Sequence, residues 1–470
     1  MAPGSKNASL QNLLDSTPNL VEYFYNDTLP PHSRDRPGFS PVPPEFTNWR
    51  EEQRAWQASA ILFDQTHHMP EMFVQGPDAF RLLNHIGINS FANFKPGMAK
   101  QYIGCAPSGH VIGDCILFYL AANSFELVSN TTLHDWVEFN ARDGRYDVTI
   151  EREAATTDPS KARKQFRFEL DGPAAGQIFG AVVQGNAPDI PFFRTTTVTI
   201  AGHPVLALRH GMAGHTGVEL AGPYEHGPAV RAAILNAGAR YGLRQGGTRA
   251  YFSTPIESGW MAYPMPAIYT HKELRAFREW LPADSWAGKT QLAGSFYSPN
   301  IEDYYNTPWD LGYGRFVKLD HDFVGRAALE KMATQKHRAK VSLIWNPDEV
   351  TRIVGSLMGS ELPYRYLNFP TLSYGFPQCD EVRGGDGRLV GFCNHTAYII
   401  NAARVISLAW IDEEQAKVGN QVQLVWGEPN GGSRKPQVER HRQTMVRATV
   451  APAPYSDHVR QMQRATITAK

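Results

Sequence analysis

Cysteine is scarce: Cys105, Cys115, Cys379 and Cys393 are the four in 470 residues, and no CxxC pair occurs. A chain this long can bury a sizeable core without covalent staples, so a disulfide framework is not expected, and the usual zinc spacing is absent. HxH and HExxH are missing as well, so no metal site is expected. Charge of one sign is also lacking, with 46 Lys+Arg against 46 Asp+Glu. With no basic excess to neutralise phosphates, no nucleic-acid partner is expected. No run approaches the ~20 apolar residues that a spanning helix needs, so no membrane partner is expected. The start, MAPGSKNASLQNLLDSTPNL, has no apolar h-region. A signal peptide is therefore not expected, and the cytoplasm is the expected location.

A 42% share of hydrophobic residues fits a globular protein of two or three domains. Residues 1–44, rich in Pro, Ser and Asn and ending in PGFSPVPP, read as a lead-in segment with one short helix. NWREEQRAWQASA (48–60) is made of helix formers without a breaker. HHMPEMFVQ (67–75) reads as a strand, and DAFRLLNHI after Gly76-Pro77 as a helix opened by its Asp. Two strands are expected between Tyr102 and Leu120, split at Ser108-Gly109. A second α+β unit covers 161–245, where FRFELDG, RTTTVTIAG and PVLALRH alternate with the helical PAVRAAILNAGARYG. KVSLIW, RVISLAWI and NQVQLVW then predict a β-rich C-terminal domain over 336–470.

One motif is set aside. ADSWAGKT (283–290) fits a permissive phosphate-loop pattern. Such a loop needs a buried strand before it and a helix after it. Here RAFREWLP precedes and the Gly- and Pro-containing QLAGSFYSPN follows.

Other positions carry more weight. Asp114 sits inside the apolar VIGDCILFYL; a lone carboxylate there is costly unless bonded, so it is either a structural anchor or a site residue. His67 and His68 are adjacent and on a strand would face opposite ways, and each is by default an ordinary core or surface histidine. Glu219 follows a Gly-rich stretch, which raises a ligand role above background. Trp260 on its own reads as core.

The order of these segments adds to that reading. FDQTHHM, GPDAF, GHVIGDCILFYL, ELVSN, GMAGHTGVEL, GTRAYFSTPIESGW and HDFVGRAALEK follow one another, and GRLVGFCNHTAYIINAARVISLAWI and VGNQVQLVW close the series. Together they resemble the aminomethyltransferase (glycine-cleavage T-protein) family from about residue 45 to 430. Within it, PPEFTNWREEQRAW, RHGMAG, PAIYT, REWLPA, SPNIEDYY and WGEPNGGSRK are most similar to the tetrahydrofolate-dependent vanillate/syringate O-demethylases.

The resemblance implies an α+β, three-domain ring with a β-rich C-terminal domain and folate in its central channel. The first domain would be built from two segments, 45–160 and 246–335. It implies tetrahydrofolate as cofactor and a small methoxyaromatic acid of the lignin type as substrate, whose methyl passes to N5 of the folate. Tyr251 would be the proton donor or leaving-oxygen partner, with His68 and the amine-handling Asp114 as further catalytic residues. Gln65, His67 and Asn130 would meet the substrate; Glu219, Arg249 and Trp260 would meet the folate. One departure stands out: the Asp doublet of the glycine-cleavage protein is Gly113-Asp114 here, so the local partner of the Asp is gone. The residue that anchors the substrate carboxylate is left unassigned. The alternatives are an aminomethyltransferase, a demethylase acting on an N- or S-methyl donor, and a non-catalytic folate-binding protein. For Tyr251 the alternative is a packed aromatic at a domain seam.

Overall fold

The computed structural model describes residues 9–28, 41–142, 144–158, 160–213, 215 and 217–461. Its strands are β1 (Ala60–Asp64), β2 (Glu71–Gln75), β3 (Met98–Cys105), β4 (Val111–Ala121), β5 (Ser124–Val128) and β6 (Thr149–Glu153). They continue with β7 (Gln165–Asp171), β8 (Thr195–Ile200), β9 (His203–His210), β10 (Gly217–Pro223) and β11 (Leu243–Gly246). The last group is β12 (Arg338–Trp345), β13 (Asp380–Arg383), β14 (Leu389–Ile399), β15 (Arg404–Asp412), β16 (Gln421–Trp426) and β17 (Thr444–Pro452).

Three β systems result. The first sheet runs β3-β4-β5-β2-β6, the second β11-β1-β7-β10-β9-β8, and β12-β15-β14-β13-β16-β17 close into a barrel. Closure removes the open edges that Val- and Ile-rich strands would otherwise present. The β-rich C-terminal domain expected from the sequence is this barrel.

Strand periodicity decides which face of each sheet meets helices. In the first sheet, Met72, Val74, Cys115, Leu117, Phe125 and Leu127 pack with Leu82, Leu83, Leu133 and Val137 of helices Ala79–Ile86 and Thr131–Ala141. In the second, Phe166, Phe168, Leu170, Val218 and Leu220 pack with Ile178, Val230 and Ile234 of helices Ala175–Val182 and Gly227–Gly238. The remaining faces turn toward each other: Phe118 and Val128 of the first sheet contact Leu208 of the second. Beside that apolar seam, Arg167 of β7 donates from Nε to Glu71 (2.9 Å) on β2 and pairs with Glu126 on β5. It also pairs with Glu219 on its own sheet.

Several local expectations need correction. The helix after Asn48 ends at Ala58, and residues 60–64 are β1 rather than its continuation. β1 pairs with β7 and β11 of the second sheet, so it crosses the boundary drawn between 45–160 and 161–245. The strand expected over 67–75 starts only at Glu71. Asp64 Oδ1 accepts from Thr66 N at 3.0 Å, an Asx turn that breaks the strand, and Pro70 has no N–H to give a ladder. The lead-in holds two short helices, Leu10–Ser16 and Leu20–Asn26, where one was expected. Residues 1–8 and 29–40 of it lie outside the described residues. The phosphate-loop lookalike is preceded by helix Arg275–Trp280 and contains a 3-10 turn at Ala287–Lys289, which bears out its rejection. Among the described residues no helix is long and apolar enough to cross a membrane.

Removing one partner of a buried ion pair costs about 3–5 kcal/mol, because the other charges stay buried and unpaired. Arg167→Leu strands three carboxylates, so a loss of at least that size is expected in urea unfolding. A loss below about 1 kcal/mol would show that the sheets hold together without this residue.

Candidate active site

The charged side chains of the second sheet share one face. On β7 the apolar Phe166, Phe168 and Leu170 face the helices, so Arg167, Glu169 and Asp171 face the seam. Register sets Glu169 opposite Glu219, and Gly217 between Asp171 and His210. Arg167, Glu169, Asp171 and Glu219 are all buried. Burial pushes Glu126 up to about 7 and raises Glu71, with Arg167 opposing both. Arg167 is kept protonated because Glu126, Glu71 and Glu219 together outweigh its burial.

Acceptors outnumber donors on this face. Glu71 Oε2 and Gln65 Oε1 are buried without a hydrogen-bond partner, and Glu169 has only weak contacts from His210 and the Met212 backbone. His210 Nδ1 lies 3.7 Å from Glu169 Oε1 and 4.0 Å from Glu219 Oε2. The ligand atoms of Glu169, His210 and Glu219 fall within 4.8 Å of one another, a cluster that the sequence spacing does not reveal. The Arg167 guanidinium pairs with one Glu219 oxygen and offsets part of the negative charge of the set, which leaves acceptors rather than a strongly anionic cluster. The pterin expected from the resemblance is rich in N–H donors. Buried acceptors without donors are what such a ring satisfies, and the residues present fit it.

The turn after β1 builds the adjoining corner. Gln65 N donates to Arg167 O (2.8 Å), which ties this turn to the charged face. Gln65 Nε2 reaches Met212 Sδ at 2.7 Å and the Tyr251 hydroxyl at 3.5 Å. Tyr251, on the short helix Thr248–Tyr251, meets the His68 ring edge-on at 4.7 Å and Phe63 at 5.3 Å. Tyr251, His68 and Phe63 line a small cleft with Val42, Asp64, Gly246, Thr248 and Phe252. Burial raises the Tyr251 hydroxyl well above its ordinary value, so it stays protonated at neutral pH. Burial, with Arg163 and His67 nearby, pulls His68 down to about 4, so its ring is neutral. His68 Nε2 has no partner. The corner therefore offers a phenolic donor and a neutral imidazole side by side.

A third corner centres on Asp114 of β4. Its Oδ2 accepts from Gln101 Nε2 (2.5 Å), Trp260 Nε1 (2.9 Å) and the Tyr313 hydroxyl (3.0 Å). Its Oδ1 is buried without a partner. Burial raises its pKa against these three bonds. Asp114 is thus both a structural anchor, joining three segments, and the holder of one uncommitted acceptor. Gly113 beside it leaves the space that the Asn130 side chain fills; a Cβ there would stand 2.6 Å from Asn130 Oδ1. A larger residue, as in an Asp doublet, has no room.

The sequence-predicted residues thus fall into distinct places. Gln65 and His68 each contact Tyr251, Asp114 bonds Trp260, and Glu219 lies on the charged face. His67 turns to the Tyr224 ring at 5.9 Å, away from His68 and Tyr251. Asn130, at φ 59°, caps the helix Thr131–Ala141 by accepting from Leu133 N (3.1 Å). Arg249 donates to Phe369 O (2.5 Å), between β12 and β13, and reaches Glu45 at 3.4 Å, just after the lead-in. Arg167, Glu169, His210 and Tyr313 were not singled out from the sequence. The charges at alternate positions of QFRFELD were the available signal for the first two, and they read equally well as a solvated strand face.

The chain is similar to known proteins along most of its length. The model of the GCVT N-terminal domain matches residues 23–276. A syringate O-demethylase of Sphingobium sp. (strain NBRC 103272 / SYK-6) is 44% identical over 95% of this chain and 96% of its own length. A sesamin methylene transferase of Sinomonas sp. (strain No.22) is 28% identical over 89% of this chain and 91% of its own. Among solved structures, the glycine cleavage system aminomethyltransferase T from Bartonella henselae superposes with a TM-score of 0.60 at 17% identity, over 89% of this chain and 92% of that one. That likeness is one of fold, and it bears out the α+β aminomethyltransferase-type architecture. On the matched domain and on a relative similar from end to end, the chain belongs to the GCVT (aminomethyltransferase) family.

Proposed function

We propose that this chain is a tetrahydrofolate-dependent O-demethylase that takes the methyl of a vanillate- or syringate-like acid. The products are the phenol and 5-methyltetrahydrofolate. The observation that carries this reading is the end-to-end similarity to a syringate O-demethylase. The contacts of both His68 and Gln65 with Tyr251 support it. Relatives named as aminomethyltransferases share 25–28% over shorter stretches, which gives the aminomethyl alternative less support. The cytoplasm is the proposed location, in keeping with four buried thiols that form no disulfide.

Bound tetrahydrofolate would supply N5 as the methyl acceptor. The remaining work falls to side chains. A phenoxide with a conjugate-acid pKa near ~10 leaves poorly at neutral pH, so a donor must stabilise the oxygen as charge develops. Tyr251 keeps its proton, and Gln65 approaches its oxygen with an N–H, which leaves the phenolic hydrogen for the leaving oxygen. Neutral His68 orients the ring substituents by hydrogen bonds and adds no charge that would compete with the donor. Glu219, held by Arg167, accepts from the pterin; Asp114, with Trp260 fixed on its other oxygen, offers a second acceptor. Holding acceptor, methyl and oxygen in line contributes further, since effective molarities reach ~10⁵ M or more.

Three outcomes test this reading. Calorimetry on Glu219→Ala should show tetrahydrofolate binding weakened by about 1.5–3 kcal/mol, the worth of a hydrogen bond to a charged group. Unchanged affinity would remove Glu219 from the site. Turnover of syringate should persist in excess chelator; full loss, restored by one divalent ion, would turn the Glu169–His210–Glu219 cluster into a metal centre. Tyr251→Phe should bind folate normally while kcat falls by about 10²-fold or more, since the hydroxyl acts chiefly in the transition state. The loss should shrink for substrates with more acidic phenols. Near-normal turnover on every methoxyaromatic tested would make Tyr251 a packed aromatic.

A further inference from the structure

Glu169 and Glu219 are directly opposed on β7 and β10, and like charges in such a pair repel. Arg167 relieves this only at one Glu219 oxygen, and its other donors go to Glu71 and Glu126 rather than to Glu169. Among the described residues, the cation within reach of both Glu169 and the second Glu219 oxygen is His210. Gly217 makes the arrangement possible. A Cβ at that position would stand 3.1 Å from Glu169 Oε1 and 2.5 Å from His210 O, closing the space in which the carboxylate meets the ring.

We infer that His210 is a positioning residue: as an imidazolium between Glu169 and Glu219, it holds the second Glu219 oxygen in place, so that tetrahydrofolate binding depends on this one buried proton. The inference rests on the reading of Glu219 as a pterin acceptor. The groups facing His210 are Glu169 and Asp171 from β7, Glu219 from β10 and the uncharged edge of Phe193 at 5.6 Å. Asp171 is held by Gly172 N (2.9 Å) and Ala213 N (2.5 Å). Burial opposes protonation of His210, but Glu169, Glu219 and Asp171 overcome it and raise the ring to about 9. A raised histidine contributes fully below its ordinary value and loses the contribution as pH rises through the folded one. Asp171 and Glu126, each pushed up to about 7, titrate earlier, while Lys340, pulled down to about 8 by burial, acts on Asp114 and not on this cluster; the His210→Gln variant therefore assigns the loss above pH ~8.

The test measures anaerobic tetrahydrofolate affinity from about pH 7 to 9.5 on wild type, His210→Gln and Glu219→Gln. Wild-type affinity should fall above pH ~8. His210→Gln should bind about ten-fold more weakly near pH 7.5 and show no such fall, because the proton is gone at every pH. A merely structural role would lower affinity and leave the slope. Histidine nitrogen NMR on the wild-type protein gives a reading that needs no variant: both His210 nitrogens should carry protons near pH 7.5. A neutral His210 there, or a His210→Gln protein with the wild-type slope, overturns the inference. Unchanged binding by Glu219→Gln would instead overturn the acceptor reading beneath it.

Discussion

Arg167 is the residue on which the two sheets converge. Its guanidinium is buried, and it meets carboxylates from β2 and β5 of one sheet and from β10 of the other. Arginine suits this place because its planar fork offers five donors in fixed directions and remains charged when buried. The apolar seam around Phe118, Val128 and Leu208 would hold two sheets in many relative positions; three directed bonds select one. A hydrophobic contact has no direction, whereas an ion pair in a low-dielectric interior does.

That tether also explains why the interior tolerates so much negative charge. Glu71, Glu126, Glu169, Asp171 and Glu219 are all buried within this region. Their cost falls on a face that a donor-rich ring can satisfy, which is what the proposed function asks of it. The Asp114 corner repeats the device: one oxygen spent on Gln101, Trp260 and Tyr313, the other left without a partner. In both places one carboxylate oxygen is committed to the fold and its mate is kept for a ligand.

Much of the architecture was legible from local pattern. KVSLIW, RVISLAWI and NQVQLVW announced the barrel, and the split at Ser108-Gly109 separated β3 from β4, because strand formation depends on short apolar runs and turn chemistry. The turn at Gln65–Pro70 was not legible. HHMPEMFVQ has strand composition, and only the Asp64 carboxylate folding back onto Thr66 N ends the strand early. That same turn sends His68 to Tyr251 and His67 to Tyr224, a divergence that the strand reading attributed to alternation.

The sequence alone determined the fold class and the family motifs, and it singled out Tyr251, Asp114, His68 and Glu219. Each stands within a segment whose local context marks it, as Asp114 does inside an apolar strand. Only the tertiary structure decided the role of Arg167, which meets partners 96, 41 and 52 residues away in the chain. It alone paired His210 with Glu169 and moved β1 into the second sheet. The physical reason is that alternation along a strand tells which side a charge faces, while the partner across the seam is set by sheet order and register, which long-range pairing decides.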